Sequence, residues 1–389
     1  MLILKLAFKN ILGQGFRSWL NFFILSLVFV GIIAMQGFYV GWEEQSRRSM
    51  TDWEIGKGQY WVDQYDVFDP FTYDKSHSVI PADLQMLIDI DKAVPMLLAP
   101  AVVYPDGRFR NTVVKGIPIN QTVLKFPSQS LKPQGDYIPA MIGNTTARSM
   151  KLEIGDVLTM RWRDVNGTFD ARDVKIVETF QSSVPTVDAN CFWVGFEQLQ
   201  EMLGTPGEAS IITLTDESFK ADFKGWTHKD LDFLFADFNA IMATEMVGAV
   251  VMYLIFILLA MIAIFDTQML AIFKRRKEIG TLMALGMTRK KIIRLFVSEG
   301  AVYALGSIFV GLIWGIPILM LTTHNGWNLA GYEDMGMVGM EGIMYPVYPL
   351  WLYTLTAVII LVTTAFVSWI PAKKISKLKP TEALSGRVN

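Results

Sequence analysis

Four long apolar stretches constrain the fold of this 389-residue chain more than any other feature. A bilayer core about 30 Å thick is crossed by a helix of about 20 apolar residues. The composition is compatible with several such helices, because 52% of the residues are hydrophobic and only 19% are charged. An average soluble domain has about 25% charged residues. The sequence therefore predicts four transmembrane helices, over residues 19–40, 246–273, 295–321 and 350–370.

The first stretch must be compared with a cleavable signal peptide. The apolar core of a signal peptide is about 7–15 residues long and precedes a cleavage site built from small residues. Residues 19–40 form a longer run, and no such cleavage motif follows them. We therefore interpret this stretch as a membrane helix that is retained in the protein.

The distribution of Lys and Arg predicts the orientation of these helices. Eight basic residues lie between the second and third stretches, within 274–294, whereas residues 295–372 contain no Lys or Arg. Basic residues flank membrane helices mainly on the cytoplasmic side. Both termini and residues 274–294 are therefore predicted to be cytoplasmic, with residues 41–245 and the short 322–349 loop on the other side.

The long segment between the first and second stretches predicts a separate folded domain, because loops of about 200 residues are not found in compact proteins. Between positions 42 and 240 there are 29 acidic and 19 basic residues, and such an acidic surface disfavours nucleic acid as a partner. β-Branched and aromatic runs predict a β-rich α+β domain, with strands near 58–62, 111–117, 156–162 and 173–180 and helices near 81–90 and 196–203.

Helical extensions are predicted to connect this domain to the membrane. Apolar residues follow the i, i+3, i+4 pattern of an amphipathic helix before the second stretch. Gly248 interrupts 229–273 but is tolerated within a helix, so one helix of roughly 65 Å is predicted; the alternative is a separate surface helix hinged at Gly248.

The predicted division is an amphipathic cytoplasmic helix (1–18), a first membrane helix and stalk (19–50), the domain (51–228), a stalk and second helix (229–273), a cytoplasmic segment (274–294), a third helix (295–321), a loop (322–349), a fourth helix (350–371) and a cytoplasmic tail (372–389).

The cytoplasmic segment KRRKEIGTLMALGMTRKK (274–291) has more structure than a charged loop requires. We predict a short helix ended by Gly286 in the left-handed conformation and followed by Thr288 as the cap of the next helix. Its apolar residues are predicted to share one face for docking another protein, and they are Ile279, Leu282, Met283 and Leu285. The alternative, a positively flanked loop, explains the charge but not the apolar face.

Several motifs carry a resemblance to a known family. Residues 275–280 (RRKEIG), 284–286 (ALG) and 289–292 (RKKI) resemble the central signature of the FtsX-like ABC permeases, which include the MacB exporters, LolC, LolE and FtsX. Residues 371–374 (PAKK) and 380–384 (PTEAL) resemble the closing motif of that family, and 6–10 (LAFKN) its opening motif. In the predicted domain, 141–143 (MIG) and 152–156 (LEIGD) are similar to a further family motif, so the resemblance covers almost the whole chain.

The resemblance implies a non-catalytic permease subunit in a bacterial inner membrane, with a MacB-like periplasmic core domain. It also implies a second permease, identical or homologous, and two copies of a separate ATPase, which bind ATP and Mg²⁺ while this chain binds no cofactor. No phosphate-binding G-x-x-x-x-G-K-[ST] motif occurs in the sequence. The resemblance and the apolar face together assign coupling to the ATPase to Arg275, Lys277, Glu278, Ile279, Leu282, Met283, Leu285 and Gly286.

Several functions are compatible with this family. The layout of a free-standing permease with a domain of about 200 residues is most similar to LolC and LolE, which implies mechanical release of lipoproteins on the far side of the membrane. The alternatives are MacB-like efflux of peptides or antibiotics and FtsX-like regulation of cell-wall hydrolases. A rival from another class is a membrane receptor or scaffold without coupling to ATP.

A few other residues suggest sites or contacts. Asp266 and Glu299 are predicted to pair with cations near the cytoplasmic end of the membrane helices rather than to carry protons. One cysteine and three histidines, widely separated, give no recognisable metal site. Gly37/Gly41 and Gly311/Gly315 have the G-x-x-x-G spacing that permits close helix packing. Tyr65, Phe68 and Phe71 lie in an aromatic, acidic segment, which is typical of a solvated acidic edge beside core aromatic residues; the alternative is a contact for a lipoprotein, a peptide or a periplasmic partner.

Overall fold

The computed structural model of this chain describes residues 15–133, 135–328 and 342–375. Most of the predicted N-terminal helix (1–18) and of the tail (372–389) lies outside the described residues, as does the middle of the 322–349 loop. The chain divides into two compact units, one formed by 1–42, 242–328 and 343–389, and the other formed mainly by 43–241. We call them the helical unit and the sheet unit.

The described α-helices include both very long and very short elements. In chain order they are α1 (Phe16–Met50), α2 (Ala82–Asp89), α3 (Asn144–Met150), α4 (Pro185–Asp188), α5 (Phe196–Leu203), α6 (Leu231–Leu234), α7 (Ala236–Lys274), α8 (Arg276–Ala284), α9 (Arg289–Asn325) and α10 (Leu350–Ile375). Four of them, α1, α7, α9 and α10, are long and apolar enough to cross a membrane. Their positions agree with the four stretches predicted from the sequence.

The long helix α7 has no break at Gly248. It contains 39 residues, which corresponds to about 58 Å at the helical rise of 1.5 Å per residue. The interruption lies further upstream, at Phe235, whose φ of −93° and ψ of 3° separate α6 from α7. The alternative of a hinge at Gly248 is therefore wrong for this helix.

Small residues bring the helices of the helical unit close together. Gly311 and Gly315 of α9 face α1, and a Cβ atom added at Gly315 would lie 2.5 Å from Cγ2 of Val30. Gly300 of α9 faces Ser368 of α10 in the same way, with 2.8 Å between an added Cβ and Cβ of Ser368. Such contacts are typical of helices that associate within a membrane.

Gly37 and Gly41 of α1 face an extended segment rather than another helix. This segment, residues 345–349, precedes α10, and the N–H group of Val347 donates a hydrogen bond of 3.0 Å to the carbonyl oxygen of Gly37. The ring of Tyr348 covers Gly37, and Pro346 covers Gly41. The glycines therefore make room for main chain and an aromatic ring, which the G-x-x-x-G spacing alone does not reveal.

The sheet unit contains a mixed nine-stranded sheet in the order β11-β1-β10-β3-β4-β8-β5-β7-β6. The further pairing of β3 with β6 closes part of this sheet into a ring, and β4–β8 and β5–β7 are its parallel pairs. The strands are β1 (Gln59–Val62), β2 (Ser78–Val79), β3 (Ala93–Val103), β4 (Arg110–Ile117), β5 (Ile138–Gly143), β6 (Val157–Arg163), β7 (Phe169–Phe180), β8 (Cys191–Gly195), β9 (Glu208–Ala209), β10 (Ile211–Leu214) and β11 (Trp226–Lys229). Two short strands of the helical unit, β12 (Trp327–Asn328) and β13 (Ile343–Met344), pair with each other.

Two apolar cores lie on opposite faces of the sheet, because successive residues of a strand point to opposite sides. From β8, Phe192 and Val194 enter the core that α5 also packs against. Cys191 and Trp193 enter the other core, where the Trp193 ring lies 4.2 Å from the Phe126 ring, measured between centroids. The predicted β-rich domain therefore has two buried apolar cores of its own, one on each face of the sheet.

Candidate docking site

The chain leaves the membrane helix α7 through a one-residue break. Arg275, with φ of −96° and ψ of 13°, separates α7 from α8, while its N–H still donates to the carbonyl oxygen of Ala271 at 3.1 Å. The nine residues of α8 follow at once. The predicted short helix therefore exists, and it follows the end of a candidate membrane span directly.

The end of α8 has the hydrogen bonds of a Schellman motif. The N–H of Met287 donates to the carbonyl oxygen of Leu282 at 2.9 Å, and the N–H of Gly286 donates to that of Met283 at 3.1 Å. Gly286 has φ of +94°, a conformation that favours glycine. Thr288 then occupies the N-cap position of α9, although its side chain makes no capping hydrogen bond. The sequence predicted both positions.

One side of α8 is buried within the helical unit. Ile279, only 5% exposed, joins an apolar cluster with Ile292 and Phe296 of α9. Ile272 of α7 and Ala372 of α10 complete the cluster, and Met283 packs against its edge. We call this group the hinge cluster. It fixes α8 against α7, α9 and α10 by apolar packing.

The other side of α8 is exposed. The Leu285 side chain at its C-terminal end is 80% exposed, Lys277 is exposed and Leu282 is half-buried. The prediction that Ile279, Leu282, Met283 and Leu285 share one docking face is therefore wrong, because Ile279 and Met283 contact the chain itself. The exposed surface combines Leu285 with basic residues.

Arg275 links α8 to α9 through a buried ion pair. Its Nη1 atom lies 2.8 Å from Oε1 of Glu299, and its Nε atom lies 3.1 Å from Oε2 of Glu278. Burial alone would lower the pKa of Arg275, but the hydrogen bonds and negative charges of Glu299 and Glu278 outweigh it and raise the pKa. The guanidinium group therefore stays charged, and Glu299 pairs with a cation as predicted.

Asp266 does not follow the same prediction. It is exposed on α7, and no ion pair to it occurs within the described part of the chain. The two carboxylates differ because of their neighbours. Lys274 lies about two turns along α7 from Asp266, too far for an ion pair, whereas Arg275 reaches Glu299 of α9. The described residues also contain no group of three or more His, Cys, Asp or Glu able to hold a metal ion.

The aromatic segment in the sheet unit presents two of its three predicted contact residues. Phe68 is 77% exposed and Phe71 is 94% exposed. Asp66 and Asp69 hold this loop, because their Oδ1 atoms accept hydrogen bonds from the N–H groups of Phe68 (2.9 Å) and Phe71 (3.0 Å). Tyr65 instead is half-buried and packs against Trp61 and Tyr73, and burial raises its pKa. Tyr65 is therefore less available for a contact than the two phenylalanines.

The Arg275–Glu299 contact does not follow from the sequence. Arg275 lies in a family motif and Glu299 in an apolar stretch, and 24 positions separate them. The sequence does indicate that Glu299 has a partner, because a carboxylate inside an apolar stretch requires one. The identity of that partner depends on the fold of 275–288.

Two comparisons with known proteins bear on this region. Residues 250–380 match the family model of the FtsX-like permease C-terminal domain. The chain is also 24% identical, over 271 residues, to an uncharacterized ABC transporter permease of Methanocaldococcus jannaschii. That alignment covers 64% of this chain and 63% of the relative, so the chain spans less than two thirds of the relative's length. The matched domain includes α8, most of α7 and all of α9.

Proposed function

We propose that this chain, whose residues 250–380 match the FtsX-like permease C-terminal domain, is an ABC permease subunit of the FtsX-like family that transmits the motion of a separate ATPase to its sheet unit. In this proposal two copies of the ATPase bind ATP and Mg²⁺ in the cytoplasm, and a second permease, identical or homologous, completes the complex. This chain contributes no catalytic residue and binds no cofactor.

The exposed end of α8 is the observation that carries this proposal. Leu285 is 80% exposed at the tip of a helix whose opposite side is fixed by the hinge cluster. A lone exposed leucine is unremarkable, but this one follows a rigid Schellman turn and lies next to a basic segment. An exposed apolar side chain with basic residues around it is compatible with a partner groove that is apolar at its centre and acidic at its border.

The orientation belongs to the same proposal. The basic residues of 274–294 favour a cytoplasmic location for this segment and for both termini, according to the positive-inside rule. The protein would then lie in the bacterial inner membrane, with the sheet unit in the periplasm. The acidic balance of that unit, 29 acidic against 19 basic residues between 42 and 240, is compatible with export and with a protein partner rather than nucleic acid.

For the cargo, we propose a lipidated protein. The exposed Phe68 and Phe71 side chains offer an apolar contact that the loop holds in place through Asp66 and Asp69. Efflux of peptides or antibiotics and regulation of cell-wall hydrolases are the competing outcomes. Replacing Phe68 and Phe71 together by Ala should lower release of a lipoprotein and leave ATP hydrolysis unchanged; unaltered release would exclude this contact.

The docking proposal is tested by a charge at Leu285. The tagged chain is solubilised and purified from its native membranes, and ATP hydrolysis by the purified sample is measured. Leu285→Asp should remove both the co-purified ATPase and the activity, because the apolar anchor is replaced by a charge. Ile154→Asp, at a residue of the sheet unit that is 58% exposed, is the matched control and should keep both.

The scaffold alternative makes the opposite prediction. A receptor without ATP coupling would purify without ATP hydrolysis in the unaltered chain as well. If an ATPase is present and Leu285→Asp has no effect on its recovery or activity, docking at the end of α8 is excluded. If no hydrolysis accompanies the unaltered chain, the proposal of an ATP-driven subunit is itself overturned.

A further inference from the structure

The residue at which the chain leaves α7 also forms a direct link to the next membrane helix. Arg275 precedes α8, and Glu299 lies about three turns into α9. Their side chains meet at 2.8 Å, between Nη1 and Oε1. The contact therefore joins the proposed docking helix to a candidate membrane span that follows it in the chain.

The pair is buried, unlike the neighbouring contact of the same guanidinium group. The Glu299 side chain is 1% exposed and that of Arg275 is 18% exposed, whereas the Glu278 side chain is 67% exposed. Burial of two charges costs solvation free energy, and replacing such a pair by apolar residues often preserves stability. The pair therefore matters more for the orientation of α8 relative to α9 than for the stability of the fold.

The hinge cluster and the ion pair constrain α8 in different ways. Apolar contacts such as Ile279 against Phe296 have little directional preference. A charged hydrogen bond from a guanidinium group has a defined direction, and the Arg275 group also lies over the Phe296 ring, 6.0 Å from its centroid. The ion pair therefore restricts rotation of α8 relative to α9 more than packing alone can.

We infer that the Arg275–Glu299 ion pair is the joint that makes α8 and α9 move as one body when the ATPase displaces α8. This inference rests on the proposed function. Glu299 is a positioning residue here: it touches neither the ATPase nor nucleotide, and it acts through Arg275. The exposed Arg275–Glu278 contact, which stays within one turn of the chain, has no such part.

The test uses the complex of the full chain with its co-purifying ATPase. Glu299→Gln preserves the size of the side chain but removes the charge, and we expect it to retain the ATPase while lowering the permease-stimulated rate of ATP hydrolysis at least tenfold. Glu44→Gln, which alters the exposed ion pair of Glu44 with Arg48 on α1, is the matched control and should keep the rate within about twofold, since exposed ion pairs contribute little.

An apolar replacement separates transmission from stability. Because R275M/E299L fills the same space without buried charge, it should fold with a melting temperature close to that of the unaltered chain and still fail to stimulate hydrolysis. Should Glu299→Gln not accumulate, this double variant carries the test alone. Normal stimulation by R275M/E299L would overturn the inference, since packing would then suffice. If the unaltered chain purified without an ATPase, the proposed function itself would be contradicted.

Discussion

The two units differ in how fully they bury their large apolar side chains. In the sheet unit the largest aromatic residues are fully buried, among them Trp162, Trp193 and Phe192. In the helical unit many large apolar residues are exposed, such as Leu254 and Phe309 at 60% and 66%. Some of its large residues are buried as well, such as Phe296, and glycine and serine lie where its helices approach closely. Large apolar residues thus face mainly inward in the sheet unit, whereas in the helical unit many of them face outward.

This difference reflects the surroundings of each unit. Water favours burial of apolar surface, so a domain in water gains most from large side chains in its core. Lipid tails offer no such gain, and helices in a membrane associate through close packing around small residues. The apolar outer surface of the helical unit is therefore what a membrane protein requires, and substitutions should have opposite consequences in the two interiors.

The largest effect is expected from truncating a buried aromatic residue in the sheet unit. Phe192 is 0% exposed, so Phe192→Ala should lower the free energy of unfolding by about 3–5 kcal/mol, through lost burial and the remaining cavity. The same substitution at Phe71, 94% exposed, should change it by no more than about 0.5 kcal/mol.

Labelling of Cys191 measures this difference in the full chain. Cys191 is the single cysteine of the sequence and is 4% exposed. Burial raises the pKa of its thiol, so less of the reactive thiolate is present in the folded unit than in an exposed cysteine at the same pH. The rate at which Cys191 is labelled, measured at a series of guanidinium concentrations, therefore reports unfolding of the sheet unit. Equal midpoints for the two alanine variants would contradict the assigned core.

A smaller effect is expected in the helical unit, where stability is lowered by adding a methyl group rather than by removing a side chain. A Cβ atom at Gly41 would overlap the carbonyl oxygen of Tyr345 and lie 2.9 Å from Cα of Pro346. Because both are main-chain atoms, Gly41→Ala should cost about 1–3 kcal/mol. Gly248→Ala, with no atom within 4 Å of the new Cβ, should leave stability unchanged or raise it by about 1 kcal/mol.

Helical circular dichroism during denaturation by dodecyl sulfate gives the measurement for this glycine pair. The two variants differ from the unaltered chain by one methyl group each, so neither changes charge or polarity. An equal gain of stability in both would show that helix propensity, rather than close packing at Gly41, decides the outcome. The comparison between the two interiors would then lose its support in the helical unit.

The long helices were predictable because one physical requirement determines them. A span needs about 20 apolar residues, and this signal is local, so α1, α7, α9 and α10 follow from the sequence alone. The strands β1, β4, β6 and β7 also follow from the sequence, because their runs are rich in β-branched and aromatic residues. Asn166-Gly167, a dipeptide typical of turns, separates β6 from β7, with Gly167 at φ of +85°.

The central strand β3 was missed for a physical reason. It contains Pro95 and Pro100, and proline is unusual within a sheet because it has no N–H to donate. The N–H of Leu98 donates to Oγ of Ser210 on the β10 side, so the nitrogen of Pro100 faces the same side by strand alternation. That edge of β3 pairs with β10 only at 93–96 and with β6 only at 101–103. Pro100 thus occupies a gap that no local pattern reveals.

The docking site was predicted in part, for related reasons. The turn at Gly286 and the cap position at Thr288 are local features, and the sequence specifies both. Which apolar residues of α8 are free depends on α9 and α10, which lie far along the chain, so the burial of Ile279 could not be read from periodicity. A pattern of apolar residues gives the face of a helix, but only the fold shows what covers that face.

The smallest effect is expected at a buried carboxylate of the sheet unit, where charge rather than volume is changed. Asp188 is 3% exposed, and its side chain accepts hydrogen bonds from the N–H groups of Thr145 (2.9 Å) and Thr146 (3.3 Å) at the start of α3. Burial raises its pKa, although these hydrogen bonds and the charge of Arg148 act in the opposite direction.

A raised pKa means that the folded state binds this proton more tightly than the unfolded chain does. The contribution of Asp188 to stability is therefore greatest below its unfolded pKa, about 3.9, and is lost as the pH rises through the folded value. Asp188→Asn keeps an oxygen acceptor but cannot ionise, so its stability relative to the unaltered chain should rise over that interval. Guanidinium midpoints from tryptophan fluorescence at several pH values measure the difference. Parallel pH profiles for the two proteins would show that the two N–H donors already compensate for the buried charge of Asp188. The interior of the sheet unit would then accommodate an ionised carboxylate without loss of stability.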